Sequence, residues 1–195
     1  MQGRTRPLAR GGVVAVALQC LTGGRASNCS AADMSWSELR DAVEENGCFV
    51  GAGTRHDLSE EEMNGIVGGH AYSILHAVEV PAPVGMGTVG IGMGTGCSSG
   101  GCVRLLLLRN PWGHGEWKGD YSDGSRAWGR RPDVVDAVGD KKSEEDDGEF
   151  WMEHDCFCKR FATVDLCRVQ NYGAKAEGSA IHKKESAAAA DGARA

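Results

Sequence analysis

No run of apolar residues in this chain approaches the ~20 that a bilayer-spanning helix requires, so nothing in the sequence reads as a membrane span. Cys-x-x-Cys pairs are missing as well. The eight cysteines (Cys20, Cys29, Cys48, Cys97, Cys102, Cys156, Cys158 and Cys167) stand at other spacings, which gives no indication of a zinc ribbon or a thioredoxin-like motif. A surplus of cationic side chains is also lacking. The net charge of -6 argues against nucleic acid as the main partner, because phosphate binding draws on excess Lys and Arg.

What is present fits one domain with tails, since 195 residues can bury a sizeable core. The cysteine pattern suits a reducing, intracellular (cytoplasmic) setting, and Cys156 and Cys158, in an aromatic segment, read as small packing hydrophobes. Residues 1 to 32 contain Arg4, Arg6, Arg10 and Arg25 and no acid. That stretch is either an N-terminal targeting peptide or a basic tail, 1–12, followed by a short core helix. Acid is densest in Asp140-Lys-Lys-Ser-Glu-Glu-Asp-Asp-Gly-Glu149.

The pattern predicts a helix over Val13–Leu21, ended by Thr22-Gly23-Gly24. A second helix follows from Trp36 to about Glu45, with Ser35 and Glu38 forming a capping box. Cys48–Ala52 reads as a short buried strand, and residues 53–69 as a polar loop with a helical turn at Ser59–Met63. Ala71–Val80 and Val103–Leu108 are strands, joined by a Gly-, Met- and Ser-rich loop over 81–101. Phe150–Phe157 is a strand or a helical turn, Phe161–Val169 a strand, and 171–195 a low-complexity tail.

The strand Val103–Leu108 ends in Arg109-Asn-Pro-Trp112. If it pairs antiparallel with Ala71–Val80, the start of one strand lies beside the end of the other. His70 and Asn110, forty positions apart in sequence, then become neighbours. An imidazole oriented by an amide oxygen is the base-and-orienter part of a Cys-His-Asn triad. The amide fixes the tautomer, and the second ring nitrogen is left to take a thiol proton. The same residues also fit a strand-edge histidine and a turn asparagine.

Three segments together resemble the calpain family of cysteine proteases: Gly69-His-Ala-Tyr-Ser73, Arg109-Asn-Pro-Trp-Gly113 with Glu116-Trp117, and Asp147-Gly-Glu-Phe-Trp-Met152. The likeness runs from about residue 18 to 169 and corresponds to the second half of the catalytic core. It implies an α+β fold with an antiparallel sheet and peripheral helices, spanning 13–170. It also implies His70 as catalytic base, Asn110 as its orienter, and Trp112 as a shield over the pair, although Trp112 equally fits core filling. A calcium ion is implied at oxygens of Glu116, Asp123, Asp147 and Glu149 with the backbone carbonyl of Glu145, a hard-cation donor set.

The sequence departs from the family in one respect. No Gly-Asp-Cys-Trp segment occurs, so no nucleophile is assigned. The resemblance therefore predicts protein substrates and, as a partner, the nucleophile-bearing half of the core. The alternatives are a catalytically inactive calcium-binding or interaction module, and a hydrolase using one of its own cysteines.

Overall fold

The computed structural model describes residues 13–81, 102–139, 145–170 and 172. The basic tail 1–12, nearly all of the Gly-rich loop and nearly all of the C-terminal tail lie outside these residues. The helices are α1 (Val14–Thr22), α2 (Trp36–Glu44), α3 (Glu60–Met63), α4 (Ala127–Arg130), α5 (Pro132–Val138) and α6 (His154–Arg160). The strands are β1 (Arg25–Ser30), β2 (Cys48–Thr54), β3 (Ala71–Val80), β4 (Val103–Arg109), β5 (Glu149–Glu153) and β6 (Phe161–Arg168). They form one sheet in the order β1-β6-β2-β3-β4-β5, and every neighbouring pair is antiparallel. The fold is α+β.

The run Leu105–Leu108 is continuous because β4 is covered on both faces. Successive side chains of a strand alternate between faces. Leu106 and Leu108 join Leu39, Tyr72, Phe150, Phe157 and Phe161, while Leu105 and Leu107 join Tyr121, Trp128, Val134 and Trp151. A strand buried on both sides reads as an apolar run instead of an alternation.

Local signals set several boundaries. Ser35 accepts from the Glu38 backbone while the Glu38 side chain accepts from the Ser35 N–H, and Ser59 and Glu62 repeat the arrangement at α3. The helix α1 has no such cap, because valine occupies its N-cap position. Its second N–H, from Ala15, is instead taken by Oδ1 of Asp165, 150 positions away on β6, at 2.9 Å. Asn28 of β1 donates to the same oxygen at 2.9 Å. Asp165 is 1% exposed, so its carboxylate is held among these donors beneath the helix. Gly51 lets α1 approach: a Cβ there would meet Val14 at 2.8 Å.

The segment Phe150–Phe157, read as a strand or a turn, is both in succession, β5 and then α6. Strand β1 and helices α4 and α5 were not foreseen. β1, Arg-Ala-Ser-Asn-Cys-Ser, has no apolar alternation to mark it, and the sheet edge makes it a strand through its pairing with β6.

Candidate active site

β3 and β4 pair from Val80↔Val103 to Ser73↔Arg109, with a bulge between Ile74 and His76 that absorbs the extra residue of the longer arm. Asn110 follows β4 directly, and His70 precedes β3. Nε2 of His70 lies 3.0 Å from Oδ1 of Asn110.

The tautomer follows from the other side of the amide. Asn110 is 0% exposed, and its Nδ2 donates to the carbonyls of His114 at 2.8 Å and Gly115 at 3.1 Å. A carbonyl only accepts, so the NH2 must face those two groups and the oxygen must face the imidazole. Nε2 of His70 is then the N–H, and Nδ1 carries the free lone pair. The Trp112 backbone N–H donates to the same Oδ1 at 3.1 Å, which fixes the oxygen further.

Two rings bound the imidazole. Trp112, 57% exposed, lies over it at 4.2 Å between centroids with a tilt of 37°, and Tyr72 meets it edge-on at 5.3 Å. A groove of about 690 Å³ opens beside it, lined by Val13, Val14, Gly53, Gly69, Ala71 and Asp165 among others. The structure thus leaves Trp112 on the surface over His70, and it is not filling the core.

Asn110 is also tied to the acidic loop. Its N–H donates to the Gly148 carbonyl at 2.8 Å, and the Gly148 N–H donates to Oε1 of Glu116 at 2.8 Å. One residue, Gly148, therefore joins the asparagine to a carboxylate through its own N–H and C=O. Gly148 has φ +85°, and an added Cβ would meet the Asn110 oxygen at 2.8 Å, so no other residue fits there without strain. Sequence reasoning passed over Gly148, whose only signal is the Asp-Gly-Glu turn.

Of the five residues implied for calcium, Glu116 and Asp147 come together. Burial raises the Glu116 carboxyl above its ordinary range, and the neighbouring charges of Asp146 and Asp147 push the same way. Asp147 Oδ1 accepts from the Glu149 N–H at 2.8 Å, Glu149 Oε1 pairs with Arg109 at 3.1 Å, and the Glu145 carbonyl accepts from the Asp147 N–H at 2.9 Å. Asp123 sits on the separate loop before α4. Among the described residues no three His, Cys, Asp or Glu side chains are disposed as a metal shell. The oxygen-only donor set suits a hard cation, but Glu116 and Asp147 accept from backbone N–H groups and Glu149 pairs with Arg109.

Among the described residues no thiol takes the third place beside His70. The seven described cysteines are free thiols, and among the described residues none is hydrogen-bonded to that imidazole. Burial pushes the thiols of Cys29, Cys48, Cys102 and Cys158 up, away from thiolate character. Cys158 lies 3.5 Å from Nε2 of His154, but burial also lowers that imidazole, so the pair stays neutral.

A buried asparagine thus holds an imidazole under a tryptophan at the edge of two paired strands of an antiparallel sheet. The family described as calpain family cysteine protease matches residues 6–168, and the chain belongs to it. Relatives include calpain clp-1 of Caenorhabditis elegans, 32% identical over 82% of this chain, and human calpain-12, 38% identical over 75%. The rat calpain-1 catalytic subunit is 31% identical over 63%. The chain spans less than a fifth of the length of these curated relatives, at 19%, 18% and 15%. No helix among the described residues is long and apolar enough to cross a membrane.

Proposed function

We propose that this chain supplies the histidine and asparagine of a calpain-type, calcium-dependent cysteine endopeptidase acting on protein substrates, and that the nucleophile comes from a separate half of the core. The observation that carries this reading is the 3.0 Å contact of His70 with an asparagine whose amide is locked by two carbonyls. A turn asparagine beside an ordinary histidine has no need of full burial and four hydrogen bonds.

In the proposed reaction, a cysteine thiol entering from the groove side gives its proton to Nδ1 of His70. Oδ1 of Asn110 keeps the imidazolium aligned by accepting from Nε2–H. The thiolate attacks the scissile carbonyl carbon, and the C–N bond breaks as Nδ1–H protonates the leaving amine. His70 then takes a proton from water, whose oxygen displaces the thiol from the acyl carbon. Trp112 keeps water from one face of the ring and strengthens the electrostatics of the pair.

Calcium, when bound through Glu116, Asp147, Glu149, Asp123 and the Glu145 carbonyl, would neutralise the acidic loop. Gly148, bonded to both Glu116 and Asn110, links that loop to the asparagine. The sequence also supports a second reading, a calcium-binding or interaction module without catalysis, because no Gly-Asp-Cys-Trp segment is present in these residues.

Mixing the chain with a nucleophile-bearing calpain half, and following thiol-dependent cleavage of an unstructured protein, separates the two readings. Activity that falls at least a hundredfold in His70→Ala, the scale of lost general-base catalysis, supports the endopeptidase. Calcium uptake by calorimetry with no hydrolysis in any mixture supports the module. Hydrolysis that survives His70→Ala overturns the first reading.

A further inference from the structure

Which rotamers a side chain can take depends on the backbone beneath it, so an imidazole is aimed only as well as its backbone is held. Two glycines, Gly68 and Gly69, lead into His70, and Gly69 has φ +65°. Glycine loses the most chain entropy when it is fixed, so this approach needs restraint from elsewhere. The restraint comes from the end of β2, 16 positions earlier. The His70 N–H donates to Oγ1 of Thr54 at 2.8 Å, and the Thr54 N–H donates back to the His70 carbonyl at 2.8 Å. The Gly69 N–H donates to the Arg55 carbonyl at 3.1 Å.

The Thr54 hydroxyl accepts from His70 and has one proton of its own to give. The carbonyls of Val67 and His70 lie within its reach, at 2.8 and 3.0 Å. The His70 carbonyl already takes the Thr54 N–H, so the hydroxyl proton goes to Val67. One hydroxyl therefore ties both ends of the turn 67–70. The Val67 N–H is taken by Oη of Tyr72 at 3.0 Å, and the ring of Tyr72 is the one that meets His70 edge-on. Thr54 is 6% exposed, and the pairing of β2 with β6 is irregular between Gly53 and Thr54, a feature that re-aims side chains. Valine would fill the same space, so packing alone gives no reason for a hydroxyl there. Burying a hydroxyl is costly unless it is bonded, and among the described residues all its partners belong to the turn that carries His70.

We propose that Thr54 is a positioning residue for His70: its hydroxyl clamps the turn 67–70 and so keeps the imidazole within reach of Asn110. Thr54 acts through the His70 backbone and exchanges no proton with a substrate. The consequence for catalysis rests on the endopeptidase reading, whereas the clamp itself does not.

The test compares whole chains carrying Thr54→Val, which keeps the shape and removes the hydroxyl, and Thr54→Ser, which keeps the hydroxyl. Nitrogen-15 NMR of labelled histidine reads the His70 tautomer, and near-UV circular dichroism checks folding. Valine is expected to replace the Nε2–H form by a mixture of tautomers. It should also speed exchange of that proton with water by about tenfold or more, the scale of one lost buried hydrogen bond. Serine should retain the wild-type signature. Mixed with a nucleophile-bearing calpain half, the valine variant should lose about tenfold in kcat with little change in KM, and serine should stay within about threefold of wild type. In the unmodified chain the His70 amide should exchange at least about tenfold more slowly than an unstructured amide, a measurement that needs no variant. Wild-type nitrogen-15 shifts at His70 in folded Thr54→Val, an equal loss in Thr54→Ser, an unprotected His70 amide, or an unchanged kcat in Thr54→Val each overturn the proposal. A wild-type mixture without hydrolysis defeats the endopeptidase reading instead, and the histidine signature then still decides the clamp.

Discussion

Replacing Asp165 with alanine tests whether a residue distant in sequence caps α1. The change removes the acceptor for two hydrogen bonds of 2.9 Å each. Asn28 is exposed enough to turn to water, whereas Ala15 is buried, so its N–H is left unsatisfied. A buried unpaired donor costs about 1–3 kcal/mol, and the favourable charge at a helix N-terminus adds about 0.5 kcal/mol. Relief of the carboxylate's own burial offsets part of this, which leaves a net loss of about 2 kcal/mol. For a chain of this size that corresponds to a melting temperature lower by about 4–8 °C. Asp165→Asn keeps an oxygen acceptor and should lose about half as much. Urea and thermal denaturation report the stability, and hydrogen exchange reports the Ala15 amide directly. An alanine variant within about 0.5 kcal/mol of the wild type, with Ala15 still protected, would refute the reasoning.

Two further substitutions probe the link from the acidic loop to the asparagine. Gly148→Ala places a Cβ 2.8 Å from the Asn110 carbonyl oxygen at φ +85° and should cost about 2 kcal/mol in chemical denaturation, with the Asn110 and His70 resonances shifted; unshifted resonances would contradict the link. Glu116→Gln should stabilise the calcium-free chain at neutral pH. A carboxyl whose folded pKa is raised favours the folded state below its ordinary range and loses that contribution as pH rises through the folded value. The advantage of glutamine should therefore vanish below about pH 4, and calorimetry should show weaker calcium uptake by the variant.

Much of this architecture was legible because its signals are local. Ser35 with Glu38 marks the start of α2, and four consecutive leucines mark a strand covered on both sides. The neighbourhood of His70 and Asn110 follows from antiparallel pairing alone. The resemblance then joined Trp112 to the pair, and the exposed ring over the imidazole is compatible with the role it implied. The rest depends on contacts between distant segments. β1 is a strand only because β6 runs beside it. Asp165 is a lone acid inside the apolar stretch Val-Asp-Leu-Cys, and nothing near it announces that a helix start 150 positions earlier needs an acceptor. The carbonyls of His114 and Gly115, which set the amide's orientation, are backbone groups and leave no mark in side-chain identity.

The central claim is that His70 is held as a base with Nδ1 open. Nitrogen-15 NMR of histidine-labelled chain, above the imidazole's titration range, reads the tautomer directly. The Nε2–H form is expected for His70, with that proton bonded to Asn110 and the form lost in Asn110→Ala. A predominant Nδ1–H form in the wild-type chain would contradict it.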